Sequence, residues 1–169
     1  KHHKALPYSQ VGSFMVDLRN RSGIAAKALE FTILTATRSG EVRGATWQEI
    51  DLSKAEWTIP SERMKAGKEH RIPLSSQVIE LLKGIPVGEA NDIIFKAPRG
   101  GMLSDMSLGA VLKRMKIQVT THGFRSTFRD WAGENTAFPR EVIEHALAHQ
   151  LKDKAEAAYA RGTLLVKRR

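Results

Sequence analysis

Apolar residues recur at helical spacing along most of this 169-residue chain, and the spacing switches once, between Trp47 and Leu74, to the alternation of strands. That single switch confines any sheet to one short stretch and leaves the rest of the core to helices. Before it, Val11, Phe14, Met15 and Leu18 mark an amphipathic helix from Pro7 to Asn20, and Leu29, Ile33 and Ala36 mark a second from about Ala25 to Ala36. Thr37-Arg38-Ser39-Gly40-Glu41 then breaks the pattern with polar capping residues. Trp47, Ile50 and Leu52, then Trp57 and Ile59, then Ile72 and Leu74 predict three strands. Met64-Lys65-Ala66-Gly67-Lys68, between the second and third, reads as a β-hairpin tip in which two lysines flank one turn glycine.

After the switch the helical period returns. Val78, Ile79, Leu81 and Leu82 mark one helix, and Leu108, Val111, Leu112 and Met115 another, with Ser104 as its N-cap and Gly100-Gly101 in the loop between. Phe124, Phe128 and Trp131 lie on a further stretch, and Val142, Ala146 and His149 on one opened by Pro139. The expected architecture is mainly α with a small three-stranded antiparallel sheet, in one domain.

Composition narrows the chemistry. The chain has no cysteine, which excludes disulfides, thiolate metal sites and cysteine nucleophiles. With 27 Lys+Arg against 18 Asp+Glu the net charge is +9, which favours acidic partners, nucleic acid first. The apolar runs are far shorter than the roughly 20 residues a membrane helix needs. Lys1-His2-His3-Lys4 is basic, but no apolar stretch follows it as in a secretory signal, so a cytoplasmic location is expected.

Four separated segments carry polar residues where the pattern would accept blander ones: Arg38, Lys65, His122-Gly123-Phe124-Arg125, and Leu147-Ala148-His149 with Tyr159 beyond it. Taken singly, Arg38 could be an ion pair with Glu41 and the hairpin lysines solvated turn residues. His122 and Arg125 could be surface decoration. His145 and His149, four apart, mimic a metal pair, but no carboxylate or third histidine completes a metal motif.

Taken together and in order, these segments resemble the catalytic domain of tyrosine recombinases, most closely the prophage-type integrases. The resemblance runs through Leu34-Thr35-Ala36-Thr37-Arg38-Ser39-Gly40-Glu41-Val42-Arg43, Thr121-His122-Gly123-Phe124-Arg125-Ser126-Thr127-Phe128 and Ala157-Ala158-Tyr159. Cleaving a DNA phosphodiester without a metal needs a nucleophile, donors for charge on the phosphoryl oxygens and a proton for the leaving alkoxide. Arginine suits the second task, because its planar fork matches phosphate and stays charged.

The resemblance implies Tyr159 as nucleophile and Arg38 and Arg125 as the phosphate clamp, with Glu41 orienting Arg38. It implies His122 as the aid to proton transfer from the tyrosine, His149 as a hydrogen bond to a non-bridging oxygen, and Lys65 as general acid to the leaving 5′-oxygen. No cofactor or metal is called for. Arg63, Lys68 and Arg71 are expected on the DNA backbone. The other tyrosine, Tyr8, matches no nucleophile motif.

The implied activity is site-specific recombination for prophage integration and excision, through a 3′-phosphotyrosine intermediate. The implied partners are double-stranded attachment-site DNA and other integrase subunits, as a tetramer on recombining DNA in the bacterial cytoplasm and nucleoid. Residues 1–169 would be the catalytic domain of a longer integrase, with core-binding and arm-binding domains absent. Alternatives are a type IB topoisomerase, which shares the chemistry but relaxes supercoils, a non-catalytic DNA-binding module, and a metal-dependent nuclease, which chelation would inactivate.

Overall fold

The computed structural model of the chain describes residues 3–149 and 164–169. Helix α2 (Ile24–Thr35) is central because it is apolar on nearly every side. Ala26, Ala28, Leu29 and Phe31 are buried, and the buried hydroxyls of Thr32 and Thr35 donate to the carbonyls of Ala28 and Phe31 at 2.7 Å each. Around α2 pack α1 (Val11–Arg19), α3 (Ser39–Arg43), α4 (Ser76–Lys83) and α5 (Ser107–Arg114). Three of these bring one apolar stripe each: Phe14, Met15 and Leu18 from α1, Val78 and Leu82 from α4, Leu108, Val111 and Leu112 from α5. The Ser75 hydroxyl caps α4 by accepting from the Val78 amide at 3.3 Å. Helix α5 is entered through Met106 instead of the expected Ser104, whose hydroxyl pairs with that of Ser107 at 2.9 Å.

Strands β1 (Ile50–Asp51), β2 (Glu56–Ile59) and β3 (His70–Pro73) form the expected antiparallel sheet in the order β1-β2-β3, with Trp57 facing both Ile50 and Ile72 and Ile59 facing His70. Trp57 inserts its ring against Phe31 at 5.1 Å, near edge-on, and Phe31 meets Phe95 at 5.2 Å. Truncating Phe31 to alanine would open this junction at a cost of about 3–5 kcal/mol.

Three local expectations change. Trp47 sits in a 3-10 turn (Trp47–Glu49) and Leu52 lies beyond β1, 43% exposed, so the first strand is shorter than its alternation suggests. The β2–β3 connection is no tight hairpin: Pro60, lacking an amide donor, ends the ladder, and residues 60–69 make a 3-10 turn (Ser61–Arg63) before the turn that holds Lys65. That turn closes from the Gly67 amide to the Met64 carbonyl at 2.9 Å, with Gly67 at φ 63°. Beyond α4, Gly100 and Gly101 at φ 89° and 73° turn the chain back so that Lys96 and Met102 pair.

Helices α6 (Gly123–Asn135) and α7 (Arg140–Ala146) form a second layer, in which Ala132, Ile143 and Leu147 meet Ala36 at the end of α2. The N-terminal segment straps α6 down: the Lys4 carbonyl accepts from the Thr120 amide at 3.0 Å and the Leu6 carbonyl from the Thr127 hydroxyl at 2.6 Å. Gly123 is required there, because a Cβ would overlap the Lys4 carbonyl. The Tyr8 hydroxyl donates to Glu134 at 2.6 Å and braces the same helix.

Candidate active site

Helices α2 and α7 end in the same way. Ala36 and Ala148 both adopt left-handed φ, 52° and 50°, where glycine is the usual residue. In α2 the Thr37 amide returns to the Thr32 carbonyl and the Ala36 amide to Ile33, at 3.3 and 3.2 Å. In α7 the His149 amide returns to Glu144 and the Ala148 amide to His145, at 2.9 and 3.0 Å. Each is a Schellman closure, and the carbonyls left over at the two ends point at one side chain.

That side chain is Arg125, in the first turn of α6 and only 4% exposed. Its Nη1 donates to the Ala36 carbonyl at 2.6 Å and its Nη2 to the Leu147 carbonyl at 2.5 Å. The negative ends of two helix dipoles thus hold a planar cation. Burial, with the Arg38 charge added, pushes Arg125 down to about 10, so it stays a cation at neutral pH.

Arg125 Nη2 also lies 3.1 Å from His149 Nε2, and His149 Nδ1 lies 2.6 Å from the buried Glu144 carboxylate, which pairs with Arg129 at 3.2 Å. A guanidinium can only donate, so Nε2 accepts and Nδ1 carries the proton given to Glu144. His149 therefore lies past the end of α7 instead of on it, and both ring nitrogens are engaged, which leaves none for the metal pair with His145. Glu144 escaped the sequence reading, although a carboxylate five residues before His149, across one Schellman closure, was the available signal.

Arg38 caps α3. Its amide donates to Glu41 Oε2 at 2.9 Å and its Nη1 to Glu41 Oε1 at 2.8 Å, with the carboxylate nearly buried. His122 caps α6 and is exposed, its ring against that of His3 at 4.5 Å. Burial lowers the His122 pKa, and the nearby Arg125, His3 and Arg38 lower it further, so two arginines and a second histidine bear on one histidine. His3 was legible only as part of a basic terminus.

Lys65 is exposed, and its ammonium has no partner among the described residues. Lys68 is exposed beside it, and the half-exposed Arg71 pairs with Glu69 at 3.0 Å. Arg63, expected on the DNA backbone, is engaged inside the fold. Its Nε and Nη2 bind the two oxygens of Glu49 at 2.8 Å each, and Nη2 also donates to the Glu41 carbonyl at 3.1 Å. The fork is filled inside the fold because Glu49, nearly buried and also accepting from Trp57 Nε1 at 2.9 Å, needs a counter-charge. His70, at the root of the same connection, is buried, and its Nε2 has no hydrogen-bond partner among the described residues. Tyr159 lies outside the described residues.

The described arrangement sets Arg125 against His149, with Arg38 and His122 close enough to act on its electrostatics, and these donors suit the oxygens of a phosphodiester. The model of the phage integrase family matches residues 5–163. Among curated proteins the chain is similar to the integrase of Enterobacteria phage P4, 30% identical over 94% of this chain and 41% of the relative. It is also similar to prophage integrase IntA of Escherichia coli (strain K12), 35% identical over 81% of this chain and 34% of the relative. It thus spans less than half the length of these relatives. In fold it is similar to the XerA recombinase, with a TM-score of 0.70 at 16% identity over 95% of this chain and 64% of that one. A lambda integrase dimer bound to a COC′ core site gives a TM-score of 0.67 at 18% identity, over 94% and 48%. With the family model matching residues 5–163 of 169 and the fold shared with these recombinases, the chain belongs to the phage integrase family.

Proposed function

We propose that the chain is the catalytic domain of a tyrosine site-specific recombinase that cuts and rejoins double-stranded DNA at attachment sites, for integration and excision of a prophage. The observation that carries this reading is the Arg125 fork, held by the ends of α2 and α7 and shared with His149. A surface ion pair needs no such mounting, whereas a donor preset for charge on a phosphoryl group does.

In the reaction, the Tyr159 oxygen attacks phosphorus while His122, held neutral at working pH, takes its proton. Arg38 and Arg125 meet the charge gathering on the non-bridging oxygens. The P–O bond to the 5′-oxygen breaks, Lys65 supplies the proton to that oxygen, and the 3′-phosphate remains on Tyr159. For His149 to bind a non-bridging oxygen as the resemblance implies, Nε2 must carry a proton, so phosphate binding has to break or share its contact with Arg125. Lys68 and Arg71, exposed near Lys65, are suited to the DNA backbone. Recombination also needs further copies of the protein, four on a pair of exchanging duplexes; the fold similarity to an integrase dimer on its core site is in keeping with more than one copy on DNA.

The test is a covalent trap. The chain is incubated with a nicked duplex spanning one end of the genetic element that encodes it, in EDTA, and the adduct is mapped by peptide sequencing. The adduct should fall on Tyr159 and vanish in Tyr159→Phe. An adduct on Tyr8, cleavage surviving Tyr159→Phe, or loss of cleavage in EDTA would overturn the assignment.

A further inference from the structure

The described active-site residues divide between helix ends and the connection 60–69. Lys65 lies on the latter, two residues from Arg63 and next to Met64, which is buried in the core. Arg63 reaches back from this connection to α3. Its Nη2 donates to the Glu41 carbonyl while the Glu41 carboxylate holds Arg38 by two hydrogen bonds, so Lys65 and Arg38 are joined through one guanidinium and one glutamate. The tie is stiff. Glu49 grips Arg63 through both oxygens and is fixed by Trp57 in the core, and Gly44 leaves room for the fork, since a Cβ there would overlap Arg63 Nη1. Among the described residues no other side-chain hydrogen bond links this connection to α3.

We infer that Arg63 is a positioning residue that sets the Lys65 turn against Arg38 from inside the fold, and that Glu49 and Gly44 form its seat. This rests on the reading of Lys65 as proton donor to the 5′-oxygen. An arginine two residues from a catalytic lysine on a basic surface would ordinarily be counted as a phosphate contact. Its three hydrogen bonds assign it to placement instead. Displacing a reacting group by about an ångström can lower a rate roughly a hundredfold without touching the chemistry of the group itself.

Single-turnover cleavage of the nicked duplex is compared with that of the same duplex carrying sulfur at the bridging 5′ position, which leaves without a proton donor. The variants are Lys65→Ala, Arg63→Met, and Arg63→Met combined with Glu49→Gln, the last removing the stranded carboxylate so that the fold survives. With oxygen, both Arg63 variants should be slowed roughly ten- to a hundredfold. With sulfur they should return to near the unmodified rate, as Lys65→Ala should, while DNA affinity and its salt dependence stay unchanged. Hydrogen exchange at residues 60–69 should quicken in both. Equal slowing on both substrates, or a fall in affinity with a shallower salt dependence, would overturn the inference. If Lys65→Ala itself were not rescued, the reading of Lys65 would fail, and the exchange data would then decide on the tie alone: unchanged protection at 60–69 would end it.

Discussion

Arg125 and Lys65 are both cations assigned to one phosphodiester, and the molecule mounts them in opposite ways. Arg125 is buried, gripped by two backbone carbonyls and a histidine; Lys65 is exposed on a turn, its ammonium without a partner among the described residues. The difference follows from the task. A group that stabilises charge acts through prior orientation and loses by any freedom, so its own solvation can be replaced by fixed dipoles. A group that delivers a proton must approach the leaving oxygen and be resupplied from water, so it belongs at the surface, with its backbone held instead of its side chain.

The largest effect should come from disturbing the rigid member. Arg125→Lys keeps a charge but cannot span Ala36 and Leu147 together. Single-turnover cleavage should fall roughly a hundred- to a thousandfold, with equilibrium DNA binding changed much less. Binding that fell as steeply as the rate would make Arg125 an affinity contact and erase the contrast with Lys65.

The rigid side was only half legible in the sequence. The 3.6 period found α2, and the order of motifs pointed to Arg38, His122, Arg125 and His149. The end of α2 was marked by the polar break after Ala36, but the end of α7 was hidden because alanine, not glycine, occupies its left-handed position, so nothing marked Ala148 as a stop. Pro139 and the apolar spacing carried the expected helix on through His149. On the Lys65 side the strands were readable, but Pro60 and the 3-10 turn after it stretched a supposed hairpin into a longer connection. The Arg63 pairing was hidden for another reason: its partner Glu49 is fourteen residues away, beyond the reach of local pattern, and the β1–β2 turn brings the two together.

A smaller effect acts where the two regions meet. Burial pushes His70 down to about 4, with the charges of Arg168, Arg125 and Arg38 adding to it and a hydrogen bond to the Ala146 backbone opposing. The unfolded chain then binds a proton between pH 6.5 and 4 that the folded chain refuses. The stability present above pH 6.5 is therefore lost as pH falls toward 4, by on the order of 3 kcal/mol. His70→Gln retains a donor without titrating, and urea unfolding midpoints at pH 7 and 4.5 should differ less for it than for the parent. An equal loss in both would place the acid sensitivity elsewhere.

The smallest effect concerns His122, the exposed histidine of the rigid side. On the proposed mechanism His122 takes the tyrosine's proton and must be unprotonated to do so, so the rate should rise with pH along a limb centred below the ordinary histidine value of 6.5. His3→Ala removes one of the neighbouring charges that lower it, so the limb should move upward in a pH–rate profile with the plateau kept. A limb that stayed in place, or moved down, would detach His3 from the site.

The contrast itself is tested by crossing the two residues with the leaving group. Lys65→Ala and Arg125→Ala are each assayed for cleavage of the nicked duplex with oxygen, then with sulfur, at the bridging 5′ position. A thiolate, with a pKa of about 8.5 for a free thiol, departs without a proton, whereas an alkoxide does not. Lys65→Ala should regain most of its rate with sulfur and Arg125→Ala should stay slow, since its defect lies in charge on the non-bridging oxygens. Rescue of both, or of Arg125→Ala alone, would contradict the division of labour between the buried arginine and the exposed lysine.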